Sequence, residues 1–398
     1  MFFALKGDHF NGNIYAKQAL EQGAKYAVID EAEFLISDQT ILVDNVLETL
    51  QKLASYHRNY LKMPIIALTG SNGKTTTKEL INGVLSQKYR TTATIGNLNN
   101  HIGVPLTLLS MTTDTEIGIV EMGANHQKEI EFLSSIAQPD YGYITNFGKA
   151  HLEGFGGVQG VIKGKSELYN YLMANNKTIF VNGNDPIQVE KTQQANIYSF
   201  GNSQEDISIN FITANPFVKL SYNGLEIDSQ LIGDYNFNNI AVAIAIGHYF
   251  KVNDNKIKLA IENYTPNNNR SQIIKKGNNK IILDAYNANP TSMRAALFNL
   301  EKQEGNTIAI LGDMFELGDY AEQEHQAITD LAVSLNINQT ILVGENFYKS
   351  KSNLKTVKQF RSFEDFKTHF KWAEFENATI LIKGSRGMAL ERVLELIG

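Results

Sequence analysis

A glycine-rich turn at residues 69–76 constrains this chain more than any other stretch. Thr69-Gly70-Ser71-Asn72-Gly73-Lys74-Thr75-Thr76 follows the apolar run Pro64-Ile65-Ile66-Ala67-Leu68, of the kind a buried parallel strand needs. After the turn, Leu80, Ile81, Val84 and Leu85 recur at helical spacing. Strand, tight turn and helix in that order form a phosphate cradle. Gly70 and Gly73 let backbone N–H groups approach an anion, and the helix start adds the positive end of its dipole. In such a loop Lys74 meets the outer phosphates and the Thr75 hydroxyl meets a Mg2+ ion. The full P-loop pattern wants a glycine five residues before the Gly-Lys pair, where this chain has Leu68. The match is to the shorter form Gly-x-x-Gly-Lys-Thr-Thr, and the alternative to nucleotide binding is an ordinary helix-capping turn.

At 398 residues the chain has length for two or three domains. A hydrophobic fraction of 43% with 20% charged residues describes an ordinary globular protein, which sets aside disordered and fibrous classes. No apolar run reaches the length of a membrane span, and the opening Met1-Phe2-Phe3-Ala4-Leu5-Lys6 is too short for a signal peptide. A cytoplasmic location is expected. The absence of cysteine removes disulfides, thiolate metal sites and cysteine nucleophiles. A net charge of -6 without a dense Lys/Arg tract argues against a nucleic-acid surface.

Pattern changes divide the chain into three α/β units. Residues 1–60 read as a small unit of short strands and two helices. Residues 61–266 begin with the phosphate loop and alternate strand and helix, as a largely parallel sheet does, before a period-two stretch from Ile207 to Ile232 with a hairpin signal at Asn223-Gly224. Asn267-Asn268-Asn269 reads as a linker. Residues 267–398 read as a second open, Rossmann-like α/β sheet whose strands end at Asp284, Gly312-Asp313, Gly344-Glu345 and Lys383-Gly384-Ser385-Arg386. Ligands of open α/β sheets sit beyond the carboxyl ends of the strands, so these residues and the phosphate loop mark the rims to watch.

Several polar residues fall on those rims. Lys6-Gly7 reads equally as an anion contact and as a surface lysine beside a turn. Glu121 ends the strand 116–121 and reads as a Mg2+ ligand rather than a cap, because a carboxylate beside phosphates needs a cation between them. His151, alone in its loop, reads as structural or exposed. Lys163 and Lys165 sit early in a helix, where a cation opposes the dipole; they are either solvated surface or, for one of them, a lysine whose charge is reversed by carbamylation. Asp284 and Asn287 precede Pro290, where a turn and N-cap explain Asn289 or Thr291 but leave the other two without a task. Lys383 and Arg386 read equally as carboxylate partners and as surface charge.

Taken together, the chain resembles the Mur ligase superfamily, and most closely the member that joins D-alanyl-D-alanine to a UDP-N-acetylmuramoyl tripeptide in peptidoglycan synthesis. The resemblance rests on Phe2–Gly7, Thr69–Thr76, Gly96–Pro105, Glu121–Ala124, Ala150–Gly156, Asp284–Pro290 and Lys383–Arg386, in the family's order along nearly the whole chain. It implies ATP and Mg2+ as cofactors, with Gly70, Ser71, Asn72, Gly73, Lys74, Thr75 and Thr76 around the phosphates. It implies Thr75, Glu121, His151 and a carbamylated Lys165 as metal ligands, and Lys74, Lys165 and His151 as the catalytic set. Asn236, Asn239, Arg270 and Asn287 would face the nucleotide. Asn99, Asn100, Asp284, Lys383, Ser385 and Arg386 would face the substrates, UDP-MurNAc-tripeptide and D-Ala-D-Ala. A monomer is expected, with the third unit closing over the second about a hinge at residues 267–270. Family members usually carry a Ser/Thr-Arg element before the position of Phe2 that helps hold the uridine nucleotide. Its lack here implies either a truncated sequence or a uridine site built differently. Gly164 stands where alanine is common. Another ligase of the superfamily, such as a folylpolyglutamate synthase or the ligase adding the third peptide residue, is the nearest alternative, and a nucleotide-dependent switch is the one from another class.

Overall fold

In the computed structural model, which describes residues 1–266, 269–371, 375 and 377–396, three larger sheets follow one another along the chain, beside a two-stranded ribbon of Lys6–Gly7 and Phe10–Asn11. The first has three parallel strands in the order Phe2–Phe3, Ala27–Ile29, Thr40–Leu42. The second has nine, and its parallel part runs Asn196–Gly201, Thr178–Asn182, Tyr141–Ile144, Ile65–Thr69, Ile117–Glu121, Thr91–Ala93. Ile207–Ala214 joins that part, and the antiparallel strands Phe217–Tyr222 and Leu225–Ile232 extend it. The third has six strands, in which the hairpin Gln272–Lys276 and Asn279–Leu283 leads into parallel Ala378–Lys383, Asn306–Gly312, Gln339–Val343 and Val357–Phe360.

The parallel strands read as continuous apolar runs because helices cover both faces. Every residue of Ile65–Thr69, Ile117–Glu121 and Thr178–Asn182 is buried. On one face Leu80, Ile81 and Val84 of the helix Lys74–Leu85 pack with Ile240, Ile244 and their neighbours in the helix Asn236–Tyr249. On the other face Leu133, Leu168 and Leu172 close a core that continues into the third unit through Met293, Leu297 and Leu317. The phosphate loop is thus gripped between its own strand and two helices.

The helix Val46–Leu61 starts under the Asn45 side chain, which accepts the Glu48 N–H at 2.9 Å. Val46 joins the core of the first sheet, while Ser55, His57 and Arg58 bond to Ile136, Met111 and Ala137 carbonyls of the middle unit. Arg58 also pairs with Asp140 at 2.7 Å. This helix therefore ties the first sheet to the second.

The helix Gly103–Ser110 and the strands Thr91–Ala93, Asn196–Gly201 and Val357–Phe360 have no counterpart in the expected element pattern. Their sequences explain why: Val357-Lys358-Gln359-Phe360 is a short edge strand, and Gly103-Val104-Pro105 hides a helix start behind two residues that usually break one. Of the expected linker, Asn267 and Asn268 lie outside the described residues.

Candidate active site

The carboxyl ends of the second and third sheets face one another across a cavity of about 650 Å³. Its floor is the phosphate loop. Gly70 (φ 141°) and Gly73 (φ 79°) hold left-handed backbone angles. A Cβ on Gly70 would lie 2.0 Å from Thr145 Oγ1, and one on Gly73 2.6 Å from Asn239 Oδ1. Gly70→Ala is accordingly expected to lower stability by about 1–3 kcal/mol or more, through strain and a backbone collision, and urea denaturation would measure it. The loop is cross-braced from the next strand: Asn72 N–H donates to Asn146 Oδ1 (3.1 Å), and Thr145 Oγ1 and Asn146 Nδ2 donate to the Asn72 carbonyl (2.6 and 3.0 Å).

Lys74 curls over this loop, its ammonium donating to the Gly70 and Ser71 carbonyls at 2.7 and 3.2 Å. Burial lowers its pKa to about 8; Glu121 opposes that shift and Arg270 adds to it. An arriving phosphate would replace those carbonyls as the ammonium's partner. Asn236 and Asn239, expected at a nucleotide, line the cavity and are also structural. Asn239 Nδ2 donates to Asn236 Oδ1 (2.8 Å) while its Oδ1 accepts from Thr77 (3.0 Å), which ties the helix Asn236–Tyr249 to the helix that leaves the loop.

Glu121 is 1% exposed, and its carboxylate is half used. One oxygen accepts from Asn99 Nδ2 at 2.8 Å and the other, buried, has no partner. An unpaired buried carboxylate oxygen beside a phosphate cradle fits a divalent cation. His151 lines the same cavity from a left-handed position (φ 52°), its Nδ1 in ion-pair contact with Glu316 of the third unit. Among the described residues no three His, Cys, Asp or Glu side chains cluster closely enough to hold a metal by themselves. Any cation here would need the hydroxyl of Thr75, the phosphates, or a further acidic group.

Lys163 and Lys165 part company. Lys163 is exposed, whereas Lys165 is 1% exposed, its amine donating to the Ala124 carbonyl (3.1 Å) just behind the cavity wall and lying 4.9 Å from the Phe155 ring centre. Burial, then the charge of Lys74, push its pKa well down, against the pull of Glu129 and Glu167. A neutral lysine amine is the form that can react with CO2.

The third unit supplies the roof. Arg270 lies flat on Tyr286, its guanidinium carbon 3.7 Å from the ring centre, with Nε unpartnered. Lys383, expected at a substrate, is 2% exposed and bonds to Asp284 Oδ2 (2.6 Å) and the Asn287 carbonyl (3.0 Å). Those two residues are thus held in place by a buried charge pair. Asn287 turns its side-chain oxygen to the Ala288 N–H (2.9 Å). Ser385 is buried off the cavity, accepting from the Phe315 N–H (2.9 Å), whereas Arg386 stands at the rim, paired with Glu391 at 2.7 Å. Of the pair expected at the peptide, Asn99 is spent on Glu121, and Asn100 caps the helix Gly103–Ser110 through the Ile102 and Gly103 N–H groups (3.1 and 2.9 Å). The structure therefore gathers all the expected residues except Gly70, Lys165 and Ser385 around one cavity, those three lying directly behind its wall.

Sequence reasoning missed the fastening between the two halves. Asn289, read as an N-cap, does cap the helix Pro290–Glu301 through Ser292. It also donates to Asn72 Oδ1 at 2.7 Å, across a sequence gap of 217 residues. Lys149 N–H to Thr291 Oγ1 (2.9 Å), Lys149 with Glu324, and Tyr235 with Ser271 (2.7 Å) add to the seam. No local pattern encodes such pairs.

Comparison with known proteins adds the following. Residues 68–247 match the Mur ligase middle domain and residues 269–386 the Mur ligase glutamate ligase domain. The chain is 34% identical over 408 residues to a UDP-N-acetylmuramoyl-tripeptide--D-alanyl-D-alanine ligase of Bacillus subtilis, covering 99% of this chain and 89% of that one. Its fold superposes on the crystal structure of MurF from Acinetobacter baumannii with a TM-score of 0.89 at 31% identity, covering 99% and 89% of the two chains. With the MurF ligase of Thermotoga maritima, solved in complex with ADP, the TM-score is 0.84 at 25% identity, with 99% and 93% covered.

Proposed function

This chain belongs to the Mur ligase family, and from that premise we propose that it joins D-alanyl-D-alanine to UDP-N-acetylmuramoyl-tripeptide with cleavage of ATP to ADP and phosphate. The observation that carries the reading is the juxtaposition, in one cavity, of a phosphate loop bearing Lys74 with a buried, half-satisfied Glu121.

The tripeptide carboxylate attacks the γ-phosphorus of ATP, so two anions must meet. Like unit charges about 4 Å apart repel by roughly 4 kcal/mol at an effective dielectric near 20. Lys74 leaves the loop carbonyls for the phosphates and offsets that repulsion. Glu121, Thr75 and His151 are the residues that would hold Mg2+, which supplies charge neutralisation at the phosphate oxygens. Lys165 as a carbamate would add a fourth, long-armed ligand: its neutral amine bonds to the carbon of CO2 and releases a proton, turning a buried cation site into an anion. Arg270 on Tyr286, with Asn236, Asn239 and Asn287, borders the nucleotide. Arg386 at the rim would receive the carboxylate of D-Ala-D-Ala. The dipeptide amine then attacks the acyl phosphate, the C–N bond forms and phosphate leaves. Asn289 on Asn72 and Lys149 with Glu324 keep the third unit on the second, which excludes water from the acyl phosphate. A cytoplasmic monomer is the accompanying reading; no described helix is long and apolar enough to cross a membrane.

The acceptor decides between this ligase and its relatives. ADP release is expected only with UDP-MurNAc-tripeptide and D-Ala-D-Ala together. Release driven by a folate and glutamate, or by UDP-MurNAc-dipeptide and a diamino acid, would overturn the assignment.

A further inference from the structure

Glu316 belongs to the third unit, in the loop that follows the strand Asn306–Gly312, yet its carboxylate meets His151 of the middle unit. We infer that Glu316 is a positioning residue that fixes the His151 ring for cation binding, and only when the third unit is docked.

Both residues are non-glycine and left-handed, His151 at φ 52° and Glu316 at φ 61°. Such backbones persist where surroundings over-determine them, and they cluster at functional sites. The surroundings here are specific. The Glu153 N–H donates to the Glu316 carbonyl at 3.3 Å, so the two loops share a backbone bond. A Cβ at Gly318 would lie 3.1 Å from the Glu153 side chain, which shows how closely they approach. Behind Glu316, Leu317 is buried, the Met314 N–H donates to His325 Nε2 (3.0 Å), and the Asp313 carbonyl accepts the Ser385 N–H (3.1 Å). The carboxylate is therefore aimed by the third unit's own core.

The consequence follows from the inventory of donors. An ionised carboxylate only accepts, so its contact with Nδ1 favours the His151 tautomer that carries the proton there, although no aligned hydrogen bond forms between them in this structure. Nε2, the other ring nitrogen, keeps its lone pair for a cation. A carboxylate behind a ligating histidine sets its tautomer and raises its basicity, and losing such a partner typically costs 10- to 100-fold in metal affinity. Because the carboxylate comes from the other unit, docking and completion of the cation site become one event.

The inference rests on the reading of His151 as a cation ligand, and the test separates the two. Mn2+ binding to the enzyme with β,γ-methylene-ATP is followed by electron paramagnetic resonance for the parent, Glu316→Ala, Glu316→Gln and His151→Ala. Glu316→Ala is expected to weaken Mn2+ about 10- to 100-fold, to leave metal-free nucleotide affinity unchanged, and to be rescued in large part by Gln, whose amide oxygen can face Nδ1 as an acceptor. Should the alanine variant fail to fold, Glu316→Asp, with its carboxylate one methylene shorter, is expected to shift Mn2+ affinity in the same direction. If His151→Ala weakens Mn2+ while the Glu316 variants match the parent, the positioning role is wrong and the ligand reading stands. If His151→Ala also matches the parent, the ligand reading falls, and this inference with it.

Discussion

Replacing Lys74 by alanine lowers kcat by about 10²- to 10³-fold, the loss that follows removal of one preorganised charge-stabilising donor. The side chain is spent only on two loop carbonyls, and the glycine backbone that shapes the loop is braced by Thr145, Asn146 and Asn239 rather than by the lysine. Steady-state kinetics with a thermal melt separates the two effects: the melt stays near that of the parent while turnover collapses. Lys74 also predicts a pH dependence. Its pKa is lowered to about 8 by burial. Phosphate binds the ammonium form, so metal-free ATP affinity is level below pH 8. Above it, affinity falls by up to tenfold per pH unit, because each binding event must then take up a proton. Isothermal titration across pH 6.5–9.5 measures this, and Lys74→Met should flatten the profile.

The second large effect belongs to Lys165. Lys165→Ala is expected to cut kcat about 10²-fold or more, since it removes both the amine and any acid built on it, and short carboxylic acids such as acetate should restore part of the rate. The rescue separates a carbamate from a packing role. A cavity lined by Phe155 and Ala124 gains nothing from acetate unless an anion is wanted there. Full activity in the unrescued variant would remove the carbamate from the mechanism. In the parent enzyme, depletion of CO2 should lower activity and bicarbonate should return it.

Local signals were legible where one stretch contained both the element and its task. The phosphate loop is such a stretch, since strand, glycines and helix lie within about twenty residues and the structure places its strand at Ile65–Thr69 and its helix at Lys74–Leu85. The hairpin at Asn223-Gly224 and the strand ends at Asp284 and Lys383 were legible for the same reason. What escaped depends on distance in sequence. Lys383 reads equally as a carboxylate partner and as surface charge until Asp284, 99 residues earlier, is seen 2.6 Å away. Asn100 reads as a substrate contact and lines the cavity, but that its side-chain oxygen also accepts the Gly103 N–H at the start of the next helix is seen only in the fold. Lys163 and Lys165 are equivalent by helix position and differ only by the face they occupy, which the tertiary fold decides. The opposed side of the cavity, from Asn289 to Glu316, depends on how the third sheet is set against the second, and no periodicity carries that.

The central claim is that a peptide carboxylate becomes an acyl phosphate and then an amide. Mass spectrometry of one reaction tests it most directly, with ATP, D-Ala-D-Ala and UDP-MurNAc-tripeptide labelled with 18O in its terminal carboxylate. One carboxylate oxygen should pass to phosphorus, so the account predicts a UDP-MurNAc-pentapeptide product and inorganic phosphate carrying one 18O. Unlabelled phosphate accompanied by ADP and no pentapeptide would mean that water, not the carboxylate, attacks ATP, and would contradict the account.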